Sequence, residues 1–337
     1  MKPVASQPGA GHDPQVSGDP APRVSVIVVN YNGLGFLADC IDSIERAFEQ
    51  LSFEIVVVDN ASCDGSQQWL RERADIVYLE SPENLGFTGG NNLGALHARA
   101  EKLLFINNDT RVESRLDGLI DLLDDPTVGI AGCRLLYGDG RQQFSIGFDH
   151  TPIRIFLSWL GLERFHRMPS LFRRQETDPS VYRQAKRDCQ WVSGACFAIR
   201  ADVWRRLEGF DTRFFMYCED VDLCLRIRQF GLRVVYSPQA RVTHFEGAGK
   251  SWVGPAALRR SACSYLLFVR KHYGAFRVIA LSLALGSLFL IRALAFALVA
   301  CIRRPGLASW REKASGYRDV GLMLLTSLGR VRPEWNR

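Results

Sequence analysis

The sequence predicts an α/β protein built on an open, doubly wound sheet, and three observations carry that prediction. Apolar runs recur with helical spacing between them, the runs read as apolar rather than alternating, and those at 24–32, 54–60 and 102–107 end on Asn or Asp. Strands buried on both faces read as continuous apolar runs because helices cover the sheet above and below. At 337 residues, 47% hydrophobic and 23% charged, the chain is long enough for one large core or two unequal domains.

Residues 24–32 (VSVIVVNYN) form the first run and 54–60 (EIVVVDN) the second. Between them Phe36, Leu37, Cys40, Ile41, Ile44 and Phe48 recur at helical spacing over 35–50. Further strands are expected at 76–80, 102–107 and 128–136, with a helix at 91–101. A glycine-rich stretch, NLGFTGGNN (84–92), precedes that helix; there Asn84, Gly86, Gly89 and Asn91 can bring backbone N–H groups close to a phosphate or a sugar hydroxyl. Ligands of such sheets bind beyond the carboxyl ends of the strands. The informative residues are therefore Asn30, Tyr31 and Asn32 after the first strand, Asp59 and Asn60 after the second, and Asn108 and Asp109 after KLLFIN. Any one set reads equally well as a turn; all of them on one edge point to a ligand. No G-x-G-x-x-G follows the first strand, and GAGKS (247–251) has His244 where a P-loop needs its first glycine, so dinucleotide and P-loop readings lose support.

The segment GFDTRFFMYCEDVDLCLR (209–226) places Glu219, Asp220 and Asp222 where an aromatic loop turns into a helix. Val221, Leu223, Leu225, Ile227 and Phe230 supply its apolar contacts, Arg226 and Arg228 sit toward its end, and Gly231 can stop it. Three carboxylates so close repel unless a cation, a basic substrate or a proton-transfer task holds them. The helix dipole favours acids in a first turn, but is worth only ~0.3–1 kcal/mol per charge.

The net charge of +6 is uneven: residues 259–337 hold 14 Lys/Arg against 3 Asp/Glu, so the preceding 258 residues carry a net −5. Within that basic stretch, 278–302 is apolar apart from Arg292 and two serines, with Arg270, Lys271 and Arg277 before it and Arg303 and Arg304 after. Such flanks are expected to meet anionic lipid headgroups rather than nucleic acid. A central arginine costs ~2.5–3.5 kcal/mol on insertion scales, so a spanning helix, a helix dipping into one leaflet and a buried core helix all remain open. Residues 1–22, rich in Pro, Gly and Ser without an apolar run, are expected to be disordered and not a signal peptide. Nine scattered cysteines without C-x-x-C argue against a disulfide framework or a zinc site and fit a reducing cytoplasm.

Taken in order, VSVIVVNYNG, EIVVVDNASCDGS, NLGFTGGNN, LLFINNDT, QWVSGACFAIRADVW and GFDTRFFMYCEDVDLCLR resemble the inverting GT-A glycosyltransferases of family 2, and among them the bacterial rhamnosyltransferase branch that decorates cell-wall and O-antigen glycans. The resemblance covers about residues 23 to 272. It implies a GT-A fold, a Rossmann-like mixed sheet flanked by helices. Around it would lie a disordered tail (1–22), an acceptor- or membrane-facing insertion (138–188) and a basic, apolar, membrane-associating helical tail (273–337).

The resemblance also implies roles. Asp59 would accept from the pyrimidine N3–H, Asn30 and Tyr31 lie in the segment that packs on the base, and Asn108 would contact the ribose. Asp109 would bind Mg2+ or Mn2+ with His244 as a second ligand; because Asn107 and Asn108 stand where the family pattern has a further acid, only Asp109 is anionic there. Asp220 would be the catalytic base. Glu219 and Asp222 would support it and, with Asn84, Gly86, Gly89, Asn91, Trp191 and Gly194, would line the donor-sugar and acceptor pocket, although a core-strand reading of 191–199 is equally good for its apolar residues. The implied donor is a dTDP- or UDP-sugar, with rhamnose from dTDP-rhamnose foremost. The acceptor is a glycan or polyprenyl-linked hydroxyl at the inner face of the cell membrane. Two competing readings are a nonenzymatic sugar-nucleotide-binding scaffold and a nucleotidyltransferase. The second would want a basic, glycine-rich loop after the first strand, where this chain has Asn-Tyr-Asn-Gly.

Overall fold

A computed structural model describes residues 21–162, 169–184, 187–245, 254–302 and 307–330. The N-terminal stretch expected to be disordered thus lies outside the described residues up to position 20, as do the GAGKS segment and parts of the insertion.

The chain opens with β1 (Val24–Asn30), α1 (Leu34–Glu45), β2 (Phe53–Asn60), α2 (Ser66–Arg71), β3 (Val77–Ser81), α3 (Gly86–Leu96) and β4 (Lys102–Asn107). A short β5 (Thr110–Val112) and α4 (Asp117–Asp121) lead into β6 (Val128–Leu136). The insertion contributes β7 (Gln142–Gln143), β8 (Ile146–Gly147), α5 (Pro152–Trp159) and β9 (Arg187–Asp188). After it come β10 (Trp191–Val192), β11 (Cys196–Arg200), α6 (Ala201–Arg206), α7 (Glu219–Gln229) and β12 (Arg233–His244). Three long helices close the described chain: α8 (Gly254–Tyr273), α9 (Ala275–Ile302) and α10 (Leu307–Ser327).

The main sheet runs β3-β2-β1-β4-β11-β6-β12-β5. β3, β2, β1 and β4 are parallel, β11 lies antiparallel between β4 and β6, and β12 runs parallel to β6. The sheet is mixed and covered on both faces. Ile27, Leu103 and Phe105 point into a core shared with α7 and α8, whereas Val26, Val28, Leu104 and Ile106 point into one built on α1 and α4. Two-sided burial is why the strands carry no polar alternation.

One expected boundary is corrected. The glycine-rich segment is not a loop ahead of a helix at 91; it is the first half of α3, which starts at Gly86. The glycines serve packing: a Cβ on Gly90 would come within 2.8 Å of Val29 Cγ1, and one on Gly94 within 2.6 Å of Ile27 Cγ2. Their absence lets α3 lie close on β1.

The apolar segment near the end of the chain is α9, long and apolar enough to cross a membrane, with 28% of its most apolar window buried. Its inner stripe, Val278, Leu281, Leu285 and Phe289, joins the core that holds α7 and α8. Arg292, the interrupting charge, donates to the Trp159 carbonyl and lies over the Tyr317 ring, 5.6 Å from its centroid. α10 packs back along α9, and the two helices touch most closely where Gly286 meets Gly321.

Candidate active site

The first half of the site is the carboxyl edge of β1, β2 and β4. Parallel register sets Asn30 beside Asp59 and Val29 beside Asn107, so the polar residues ending three strands meet. Asn30 Nδ2 donates to Asp59 Oδ2 at 2.8 Å, and Asn108 Nδ2 donates to Asn30 Oδ1 at 2.7 Å. Asp59 Oδ1 accepts from the Ser62 backbone N–H at 2.8 Å and from Gln67 Nε2 at 3.1 Å. Asp59 and Asn30 are fully buried, whereas Tyr31 stands 52% exposed above them. Asn32 and Ala61 hold left-handed backbone, φ 52° and 63°, where the chain turns sharply off β1 and β2.

The second half is the start of α7. Tyr217 and Cys218 both adopt left-handed φ, 74° and 66°, immediately before the helix. Consecutive non-glycine residues in that region cost ~1–3 kcal/mol each and persist where the surroundings over-determine them. The kink aims the first turn of α7 at a cavity of about 320 Å³ whose lining includes Trp191, Ser193, Glu219, Asp220, His244 and Tyr265. Asp220 is fixed from two sides: Oδ2 accepts from the Gly194 N–H at 3.1 Å and Oδ1 from the Val221 N–H at 2.8 Å. Residues 193–195 separate β10 from β11, which answers the core-strand reading of 191–199: the strand breaks there, and the break turns the Gly194 N–H toward Asp220.

Burial pushes the Asp220 carboxyl up, against the pull of its two N–H donors. Burial, reinforced by the charge of Asp220, pushes Glu219 well above the usual carboxylate range, and Glu219 Oε2 has no hydrogen-bond partner among the described residues. Asp222 is the opposite case. It is fully buried and faces away from the cavity, into a nest formed by Arg226 Nε at 2.8 Å, Lys271 Nζ at 2.7 Å and His272 Nε2 at 2.7 Å. Burial alone would raise its pKa, yet the His272 hydrogen bond and the Arg226 and Lys271 charges hold it below the ordinary value. The expectation that Asp222 lines the donor and acceptor pocket is therefore corrected. It ties α7 to α8.

Asp109 and His244 lie between the two halves. β5 pairs antiparallel with β12, which sets His244 against Thr110 and brings its Nε2 to 3.2 Å from Asp109 Oδ1. His244 Nδ1 lies 3.1 Å from Gln143 Oε1, which accepts its N–H and leaves the Nε2 lone pair facing the carboxylate. Asn107 Nδ2 approaches the same nitrogen at 3.3 Å. An imidazole lone pair and a carboxylate oxygen converging on one point, with a second partner orienting the ring, fit a divalent cation. No group of three or more His, Cys, Asp or Glu side chains suited to a metal occurs among the described residues, so two protein ligands would leave the remaining positions to phosphate oxygens and water.

The glycine-rich segment does not line the acidic cavity but adjoins it, with the Phe87 ring against Gly194. Asn84 Oδ1 accepts from Gly86 N at 2.8 Å, Gly86 turns with φ 73° against Phe215, Gly89 packs on Leu85, and Asn91 Nδ2 donates to Phe87 O at 2.8 Å. Several cavity residues carried no signal in the sequence. His150, Arg174 and Gln143 come from the insertion and Tyr265 from α8. Arg174 Nη1 lies 3.1 Å from His150 Nε2 and also donates to the Tyr265 hydroxyl. Each is an ordinary loop or helix residue until the fold brings them together.

Residues 25–201 match the sequence profile described as "Glycosyl transferase family 2". This chain belongs to glycosyltransferase family 2. It is 32% identical over 236 residues, 68% of its length, to the O-antigen biosynthesis protein RfbC of Myxococcus xanthus, but the match spans only 18% of that larger protein. It is 27% identical over 278 residues to the N-acetylglucosaminyl-diphospho-decaprenol L-rhamnosyltransferase of Mycobacterium tuberculosis, covering 75% of this chain and 86% of that one. Among solved structures it resembles GalNAc-T7 with UDP, GalNAc and Mn2+, with a TM-score of 0.52 at 16% identity over 74% of this chain and 48% of that one. The fold is GT-A, and the relatives of this glycosyltransferase include rhamnosyltransferases.

Proposed function

We propose that this glycosyltransferase is an inverting, metal-dependent enzyme. It would move rhamnose from dTDP-rhamnose onto a hydroxyl of a lipid-linked envelope glycan at the inner face of the cell membrane. The observation that carries the reading is Asp220, held by the Gly194 and Val221 N–H groups in a cavity that also receives His244. The name of the mycobacterial relative supports the sugar and the lipid-linked acceptor.

In this reading Tyr31 and the Asp59–Asn30–Asn108 chain receive the nucleoside. Gln67 is the donor to Asp59 that an incoming base N–H would replace, because the Asn30 and Ser62 donors are buried with it. Asp109 and His244 hold Mg2+ or Mn2+, which supplies Lewis-acid stabilisation of the departing diphosphate. Asp220 takes the proton of the acceptor hydroxyl as its oxygen bonds to C1 of the sugar; the C1–O bond to the diphosphate breaks on the opposite face, and the nucleoside diphosphate leaves. The two N–H donors keep Asp220 aimed. A raised pKa makes it a stronger base than a surface carboxylate.

The test is a transfer assay over UDP-, dTDP- and GDP-sugars with Mg2+ or Mn2+ and a polyprenyl-diphosphate GlcNAc acceptor, with the product anomer read by NMR. An α-rhamnosyl product from the β-linked donor is expected. Retention of configuration would overturn the single displacement, and tight donor binding without turnover would favour the scaffold reading.

A further inference from the structure

The hairpin of α9 and α10 contains a groove of about 700 Å³. It exists because the two sides of the helix pair are filled differently. On one side Phe296 stacks between Trp310 and Tyr317, at centroid distances of 5.7 and 5.5 Å, and these rings hold the helices apart. On the other side Ala293, Ala297 and Ala300 of α9 face Ala314 and Ser315 of α10, side chains too small to fill the space. Ala293, Ala297 and Ala300 recur at helical spacing, so the groove follows one face of α9.

Arg311 and Arg318 also line it, two turns apart on α10, and no carboxylate does. Arg311 has no ion-pair partner among the described residues. Arg318 is paired only with its exposed neighbour Asp319, at 2.9 Å, a kind of pair that contributes little. An apolar floor beside two guanidinium groups is complementary to a hydrocarbon chain carrying a phosphate.

The groove opens toward where such a molecule would come from. Phe276, Ile279, Leu283, Ile291, Leu298 and Ile302, each between 39% and 83% exposed, form an exposed apolar stripe along α9, interrupted on that face by Ser287. Leu294 belongs both to that stripe and to the groove. α10, packed along α9, carries Arg311, Glu312, Lys313, Arg318 and Asp319, charges that hydrocarbon tolerates poorly. The hairpin therefore suits the membrane surface, stripe inward, better than a bilayer span. The ring-filled side of the hairpin, opposite the groove, meets the catalytic domain: Tyr317 packs on Phe289, Phe289 on Trp159, and Trp159 on Tyr265, which lines the catalytic cavity.

We propose that the α9–α10 groove holds the single hydrocarbon chain of the phosphate-bearing lipid that serves as acceptor, with its phosphate on Arg311 and Arg318. The assignment rests on the lipid-linked acceptor proposed above. It is tested with photoreactive farnesyl phosphate and the matching alcohol in dodecyl maltoside micelles, using the full chain without donor. Cross-links should fall within 290–301 and 311–318. Ala297→Trp, which fills the groove from an exposed position, should cut labelling at least ~10-fold with an unchanged unfolding midpoint. The Arg311→Gln, Arg318→Gln double variant should weaken the phosphate ~10-fold and leave the alcohol unaffected, the size expected for losing charge-assisted hydrogen bonds. Labelling confined to the outer stripe, or indifferent to Ala297→Trp, would overturn the groove. Competition by phosphatidylglycerol as strong as by farnesyl phosphate would overturn its role as the acceptor site. Donor hydrolysis by the same preparation separates the two proposals: hydrolysis without groove labelling defeats this one alone, and groove labelling without hydrolysis of any nucleotide sugar defeats the transferase mechanism alone.

Discussion

The edge around Asp59 and the cavity around Asp220 are built on opposite principles. Asp59 is completely buried, yet three donors satisfy its two oxygens, and Asn30 and Asn108 continue the chain of hydrogen bonds. Such a network is rigid and presents a fixed pattern to a ligand. At the cavity, Glu219 leaves an oxygen unpaired, Asp220 carries a raised pKa, and the backbone before them is strained at Tyr217 and Cys218. At Asp59 the donors saturate the carboxylate for binding, whereas at Asp220 burial outweighs the two N–H donors and leaves a more basic carboxylate. The contrast predicts that substitutions at the two places fail differently.

The largest effect is expected at Asp220. Asp220→Asn keeps the shape and removes the base, so kcat should fall ~10²–10⁴-fold with donor affinity nearly unchanged. Isothermal titration with the nucleoside diphosphate beside a turnover assay separates the two quantities. Near-normal turnover would move the base to Glu219.

Next comes Asp222, whose loss leaves Lys271, Arg226 and His272 around an empty position. Asp222→Ala should cost about 3–5 kcal/mol in urea unfolding, the range for removing one partner of a buried ion pair. The sign with pH is fixed by the lowered pKa: its contribution is fully present above the unfolded carboxyl value and is lost as pH falls through the folded one. The gap between wild type and variant should therefore close in acid. A constant gap would make the residue a packing group only.

A smaller effect is expected at the metal pair. Gln143→Leu removes the acceptor that orients His244, and loss of such a partner costs ~10–100-fold in metal affinity. His244→Ala should cost at least as much, with added Mn2+ partly restoring activity, whereas Asp109→Ala should not be rescued. Unchanged metal-activation curves for both histidine-side variants would make His244 structural.

These residues also show where the sequence is legible. β1, β2, β4 and β6 are readable because burial on both faces imposes continuous apolar runs, and the polar residues closing β1, β2 and β4 mark the edge directly. The start of α3 was not, because Gly86 and Gly89 carry loop propensity while Gly90 and Gly94 are demanded by contacts with β1 that lie about 60 residues away along the chain. The acidic cluster was visible, but not its division of labour. Locally only Arg226, one helical turn on, distinguishes Asp222 from Asp220; the rest of the difference is made by Lys271 and His272, nearly fifty residues later, and by a backbone N–H at Gly194. Strands such as β7 and β8 are too short to leave a periodic trace, so the cavity wall they support was hidden as well.

The finest test of the contrast is Glu219→Gln. Burial and the Asp220 charge both push Glu219 upward and favour its neutral form, which adds no charge beside the base. Replacing a neutral acid by a neutral amide should shift the acid limb of the kcat–pH profile by less than ~0.5 unit, whereas removing an ionised neighbour would lower it by about a unit or more. Stability gives an independent reading. Because the folded pKa is raised, the native state's advantage from this group is fully present below the unfolded value of ~4.3 and declines as pH rises toward the folded one. The Gln variant, which has nothing to titrate, should therefore gain on wild type as pH rises above ~4.3. A full-unit shift of the acid limb, together with a stability difference that does not change with pH, would mean that Glu219 is ionised and that the cavity holds two charged carboxylates.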